Sequence, residues 1–318
     1  MRLAVTGGAG FIGSNFVRGV AEGRHPELDV ERIIVIDNLT YAGTLSNLDG
    51  LLDDITFHRT DICDTETVTR RLAGCDAVVH FAAESHVDRS IASGLPFMRS
   101  NVLGTQSALE AAAAAGVDRF MHISTDEVYG PVPTGATAED APLVPSSPYA
   151  ASKAGSDLVA LAFARTHGLP VVVTRCSNNY GPYQNLEKAI PRFVTSLLRG
   201  DDIPLYGTGT QVRDWLHVGD HANAITALLA GTPKESVYNI GGGCGLTNLE
   251  LARLVVDELG LKPDRISFVQ DRPAHDTRYC VDDSRIRDEF GYRPQRDFHD
   301  AVRETVVWYA QNRSWWQR

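Results

Sequence analysis

A short β-rich run, Arg2–Thr6, delivers the chain directly into "GGAGFIG", and this junction restricts the fold more than any other feature of the sequence. Gly7, Gly10 and Gly13 stand in a Gly-x-x-Gly-x-x-Gly spacing ahead of a helical stretch. Such glycines permit a tight strand-to-helix turn and let an anionic group approach the helix N-terminus, where free N–H groups and the dipole favour negative charge. An ordinary strand-to-helix turn can show the same spacing, so the surrounding pattern has to decide.

That pattern is an alternation of short apolar runs with longer amphipathic stretches. The runs Arg32–Asp37, Ile55–Asp61, Ala77–Ala82, Arg119–Ser124 and Val171–Arg175 read as further strands. Thr105–Ala115, rich in good helix formers, and Tyr149–His167, apolar at helical spacing, read as crossover helices. Together they predict βαβ units in an α/β fold with a doubly wound parallel sheet, the Rossmann arrangement. The second strand ends on Asp37, where an acidic side chain holds adenosine ribose hydroxyls and repels a 2′-phosphate, so NAD is expected over NADP. Asp61 and Ile62 are placed to flank adenine, and Phe81-Ala82-Ala83 to pass beneath the cofactor with little side-chain obstruction.

With 318 residues, 43% of them hydrophobic, the chain can bury a substantial core. No run of about 18 apolar residues and no leader pattern appears, which suggests a soluble, unsecreted, cytoplasmic protein without membrane partners. Cys63, Cys75, Cys176, Cys244 and Cys280 are scattered, with no CxxC pair and no clustered histidines, so free thiols and no metal are expected. A formal charge of −10 disfavours a nucleic-acid footprint, and any anionic ligand must be met by local basic residues.

After Asn178 the alternation breaks into turn-rich pieces such as "NNYGPYQNLEK", "LYGTGTQ" and "NIGGGCGLTN". Helical patterns return at Leu246–Leu259 and Phe298–Tyr309. Residues 1–177 therefore read as the dinucleotide-binding domain, with later segments returning to it. Residues 178–318 read mainly as a smaller mixed substrate-binding lobe.

Two constellations carry chemistry. Tyr149 and Lys153 lie four apart on a predicted helix and share one face. A cationic lysine near the phenol is expected to lower its pKa, letting it accept a substrate hydroxyl proton during hydride transfer. Asp126 and Glu127 follow Thr125 just after an apolar strand, at the C-terminal end where parallel-sheet enzymes place ligands. Adjacent carboxyls can hold different protonation states if their surroundings separate their pKa values, so one donates while the other accepts.

The segments "TGGAGFIGSN", "FAAESHVDRS", "STDEVYG", "SPYAASKA", "RCSNNYGPYQNLEKAIP", "QVRDWLHVGDH", "YNIGGG" and "DRPAHDTRY" resemble the extended short-chain dehydrogenase/reductase family, and within it the dTDP-glucose 4,6-dehydratases, nearly end to end. The Thr-Asp-Glu before "VYG" separates these from the related epimerases. The resemblance implies internal oxidation, elimination of water and re-reduction of dTDP-glucose, with Thr125, Asp126, Glu127, Tyr149 and Lys153 as the catalytic set. It extends the NAD contacts to Phe11, Ile12, Asn38, Leu39, Thr40, Ser85, Ser100 and Asn179. Its substrate contacts are Ser85, Thr125, Asn178, Glu187 and Lys188, then Pro204, Leu205, Tyr206, Arg213, Asn248, Arg272 and His275. Arg213 and Arg272 would meet the diphosphate, which guanidinium binds in bidentate fashion. Ala274 stands where the family often has glycine. Still open are a UDP-sugar 4,6-dehydratase, a 4-epimerase, and a non-catalytic NAD-binding regulator. A homodimer is also expected, formed through Thr105–Ala115 and the helix that begins at Tyr149.

Overall fold

The structure, a computed structural model, describes residues 1–317. The first half lays down β1 (Arg2–Thr6), β2 (Arg32–Asp37), β3 (Ile55–Arg59), β4 (Ala77–His80), β5 (Arg119–Thr125) and β6 (Val171–Cys176). The second half adds β7 (Asn178–Tyr180), β8 (Ile203–Tyr206), β9 (Val212–His217), β10 (Val237–Ile240), β11 (Gly245–Thr247) and β12 (Ile266–Val269). A seven-stranded sheet runs in the order β10-β6-β5-β4-β1-β2-β3, parallel throughout. The chain winds outward from β1 to β3 and then crosses back to β4, so the topological switch lies between β1 and β4. In open α/β sheets ligands bind at the C-terminal strand ends beside that switch.

The strands are apolar on both faces because helices cover both. Leu3, Val5, Val35 and Val79 point into one apolar cluster, and Ala4, Ile34, Val78 and Val173 into the other. Each fully buried aliphatic side chain contributes roughly 1.5–3 kcal/mol relative to its exposed state. The two predicted strands that run long stop early for a local reason. After β3, the Asp61 carbonyl accepts from Asp64 N (3.0 Å) and its carboxylate from Cys63 N (2.9 Å), which closes a turn. After β4, Phe81 N still reaches Thr6 O (2.9 Å), and Ala82 then leaves the ladder.

The helix at Pro148–His167 is fixed at both ends. The Ser147 side chain accepts from Ala150 N, Pro148 occupies the first helical position, and Gly168 ends it at φ +71°. The helical stretch leading into Gly104–Ala115 is widened to a π-helix over Met98–Leu103. Such widenings gather at functional sites.

The segment "VYNI", inside what the sequence presents as a turn-rich region, is instead β10, paired with β6 from Val237↔Val173 to Ile240↔Cys176. Four residues with no alternation and three glycines after them give no strand period to read. The next helix starts at Asn248 rather than Leu246, because Thr247 caps it in a reciprocal capping box with Glu250. Around it, the sheets β11-β9-β7 and β12-β8 close on a separate core containing Tyr180, Trp215, Leu251 and Tyr309. Among the described residues, no helix is long and apolar enough to cross a membrane, and no cluster of three His, Cys, Asp or Glu could hold a metal ion.

Candidate active site

A cavity of about 940 Å³ runs along the C-terminal ends of β1, β2, β4, β5 and β6. Its floor begins at the glycine turn. Gly7 sits at φ +69°, and a Cβ there would fall 2.5 Å from Ala82 N; a Cβ on Gly13 would fall 2.4 Å from Gly7 O. The helix Phe11–Ala21 starts at once from Gly10, which has no side chain to cap it. Its free N–H groups therefore face the cavity, as a pyrophosphate requires.

At the end of β2, the buried Asp37 carboxylate accepts from Ala9 N (3.0 Å) and Leu39 N (2.8 Å). Burial pushes its pKa up, and the two backbone donors oppose that rise. Leu39 takes φ +55° to make its bond, and it is the one expected cofactor residue that does not line the cavity. Gly10, Phe11, Ile12, Asn38, Thr40, Asp61, Ile62, Phe81, Ala82, Ala83, Ser85, Ser100 and Asn179 all do. Asp61 is ion-paired with Arg99 at 2.9 Å. A cradle that excludes Cβ atoms, a free helix N-terminus and a carboxylate at the second strand end fit a dinucleotide.

Thr125, Glu127, Tyr149 and Lys153 line the same cavity. Thr125 ends β5 in extended conformation, and its hydroxyl accepts from Glu127 N (3.3 Å) and donates to Asp126 Oδ1 (3.2 Å). That fixes the short 3₁₀ turn Asp126–Tyr129, which is closed by Gly130 at φ +76°. Asp126 is 3% exposed, lies off the cavity wall, and its Oδ2 has no hydrogen-bond partner. Burial lifts its pKa far above the usual carboxylate range, and the charges of Glu127 and Asp214 add to the rise. Burial also raises Glu127, but Arg272, Lys188 and Arg213 counter it. Of the two carboxyls, Asp126 is the one whose surroundings favour the protonated form more strongly.

The tyrosine corrects a sequence expectation. Burial holds the Tyr149 phenol well above its ordinary pKa, Glu127 adds to this, and only a hydrogen bond with Thr125 pulls downward. Lys153 Nζ donates to Ile123 O at 2.7 Å. Desolvation brings the lysine itself down to about 8.

The expected substrate residues divide. Ser85, Asn178 and Lys188 line the cavity; Asn178 Oδ1 is buried without a partner, and Lys188 donates to Ser85 O (2.7 Å). Beyond that wall, buried Arg213 lies over the Tyr279 ring at 4.4 Å and donates to Asp276 O. Arg272 is 3.7 Å from Asp88, and its Nε is buried without a partner. Tyr206 donates to Asp88 (3.2 Å) and meets the His275 ring edge-on. Pro204 lies on β8 and Asn248 opens its helix, both outside the cavity wall. Two expected contacts are otherwise engaged. Leu205 is a core residue of the smaller lobe, and Glu187 is held by Arg89 through bonds of 2.5–3.2 Å. Ala274 adopts φ +52°, the left-handed region a glycine enters more easily. Sequence reasoning passed over Asp88, Arg99 and Asp214. Asp214 stands beside Arg213 in "QVRDWLH", but nothing in that run marks it as a charge acting on Asp126.

Fold and cleft together define an α/β dinucleotide-binding enzyme of the extended short-chain dehydrogenase/reductase class, with a second lobe carrying arginines. The family model for GDP-mannose 4,6 dehydratase matches residues 4–305. A dTDP-glucose 4,6-dehydratase from Streptomyces niveus is 53% identical, the match covering 100% of this chain and 95% of that protein. One from an Actinoplanes species is also 53% identical, over 99% and 100%. The crystal structure of the Streptomyces venezuelae dTDP-glucose 4,6-dehydratase DesIV, solved with NAD bound, matches with a TM-score of 0.98 at 53% identity, over 100% and 99% of the two chains. UDP-glucose 4-epimerase from Thermotoga maritima matches at 0.90 and 29%, over 98% and 99%. The chain belongs to the dTDP-glucose 4,6-dehydratase family.

Proposed function

We propose that this chain is an NAD-dependent hydro-lyase that converts dTDP-glucose into dTDP-4-keto-6-deoxyglucose and water. The observation that carries the reading is the pairing of buried Asp126 with cavity-lining Glu127 at the end of β5, with surroundings that separate the two carboxyls. When bound, NAD supplies an acceptor for hydride from the sugar C4, a donor of hydride to C6, and positive charge.

The chain's own residues manage protons and position. Tyr149 takes the O4 proton as C4 is oxidised. Since the cavity itself holds the phenol protonated, the positive charge of Lys153 and of the oxidised cofactor has to make it an acceptor. Thr125, bonded to Tyr149, orients the same hydroxyl. The new ketone acidifies C5–H, and Glu127 takes that proton while Asp126 protonates the departing C6 hydroxyl. Hydride then returns to C6 and a proton to C5. Arg213 and Arg272 hold the diphosphate.

The exposed Leu158, at 60%, lies in one of the two helices expected to pair across a two-fold axis, which supports a homodimer. A monomer mass in light scattering would remove that assignment. The cytoplasm is the compartment this nucleotide-sugar chemistry calls for. The function is tested by NMR of products from dTDP-glucose and UDP-glucose. A 4-keto-6-deoxy sugar, formed faster from the dTDP substrate, is expected; a C4 epimer alone would overturn the proposal.

A further inference from the structure

Beneath the acid/base turn lies a line of buried polar groups with no part in the chemistry above. Arg175, on β6, is 3% exposed. Its Nε donates to Asp157 Oδ2 (2.9 Å), and its Nη1 donates to Tyr129 OH (2.8 Å) and Glu139 O (3.2 Å). The guanidinium also lies 4.8 Å from the centre of the Tyr129 ring. Tyr129 closes the Asp126–Tyr129 turn, and Asp157 lies one helical turn beyond Lys153. One side chain thus joins the acid/base turn to the helix that carries Tyr149 and Lys153.

The line continues in both directions. Tyr129 OH donates to Asn239 Oδ1 (2.8 Å) on β10, and Asn239 Nδ2 donates to Thr137 O and Asp282 O. On the other side, His122 Nε2 is 3.4 Å from Asp157 and 3.0 Å from Ser156 Oγ, which donates to Lys153 O. A buried ion pair carries a desolvation penalty that an apolar pair would avoid, so its net contribution to stability is small. What it supplies is direction, because a planar guanidinium bonded on three sides has one orientation.

We infer that Arg175 is a positioning residue that fixes Asp126 and Glu127 relative to Tyr149, acting through Tyr129 on one side and Asp157 on the other. The inference rests on the dehydratase reading, since only a site that both oxidises and eliminates needs these two halves held in register. Releasing the Tyr129 end lets the acid/base turn drift while the helix and its tyrosine stay in place. A misplacement of about 1 Å can cost as much as a hundredfold in rate.

Tyr129→Phe removes the hydroxyl and keeps the ring under the guanidinium. Single-turnover experiments with the NAD-loaded enzyme and dTDP-glucose would follow reduced cofactor by absorbance, and solvent deuterium entering C5 together with product by NMR. We expect elimination to slow about tenfold or more while cofactor reduction changes less than about threefold, so that reduced cofactor accumulates. Arg175→Lys, which keeps a positive charge beside Asp157 but loses the planar fork that reaches Asp157 and Tyr129 together, should show the same imbalance. Equal slowing of both steps, or no effect in either variant, overturns the inference. Failure of the unmutated chain to form a 4-keto-6-deoxy sugar would instead overturn the functional reading, and the inference with it.

Discussion

Asp126 and Glu127 are chain neighbours in one short turn, yet charges of opposite sign dominate their surroundings. Beyond burial itself, Glu127 is acted on first by three cations, Arg272, Lys188 and Arg213. Asp126 is acted on first by the carboxylates of Glu127 and Asp214, ahead of Arg213. In the proposed elimination the acid and the base thus come from one dipeptide whose two side chains are acted on by different sets of charges.

Glu127→Gln should therefore separate the half-reactions. The amide cannot take the C5 proton, and losing a general base costs typically 10²–10⁴-fold. Reduced cofactor should still form in a single turnover, while product formation falls by at least about a hundredfold. Loss of cofactor reduction to the same degree would move Glu127 out of the base role.

Tyr149→Phe should abolish both steps, since oxidation precedes elimination. Cofactor reduction is expected to drop by roughly 10²–10⁴-fold with binding of dTDP, measured by calorimetry, unchanged within about threefold. Retained reduction would assign proton removal elsewhere.

Asp37→Ala tests cofactor choice. The carboxylate pins Ala9 N and Leu39 N and offers the only acidic group at the end of β2. Losing a charged hydrogen-bond partner costs about 1.5–3 kcal/mol, so NAD affinity should fall about tenfold or more and the preference over NADP should narrow. Unchanged affinity in a fluorescence titration would show that the ribose is held by other groups.

Stability should carry a histidine signature. Burial lowers His221 to about 3. From the unfolded value of about 6.5 down to 3, the unfolded chain binds a proton that the folded chain does not, so this group's contribution to stability rises with pH across that window. The raised carboxyls Asp126 and Glu127 act in the opposite sense above their ordinary values, so the comparison has to be differential. His221→Asn should reduce the slope of unfolding free energy between pH 5 and 6 by up to about 1.4 kcal/mol per pH unit, read from denaturant curves. An unchanged slope would mean that His221 is protonated in the fold.

What the sequence made legible was local. The glycine turn, Asp37 and the two residue pairs each declare themselves within a few positions, and the six early strands follow from apolar runs between helical stretches. What it hid depends on distant partners. The pairing of Val237–Ile240 with β6 joins segments some sixty residues apart, and no short window contains it. Lys153 lines the same cavity as Tyr149, but the carbonyl it bonds, Ile123 O, is thirty positions away, and the burial that raises the phenol is set by the whole fold. Glu187 and Leu205 could be matched to a motif but not to Arg89 or to the core of the smaller lobe.

The central claim is that one hydride leaves C4 and returns to C6 of the same sugar while water is lost. dTDP-glucose deuterated at C4, turned over with excess unlabelled NADH in solution, should yield dTDP-4-keto-6-deoxyglucose with the deuterium at C6. Deuterium retained at C4 in an epimerised sugar, or lost to the cofactor pool, would contradict the account.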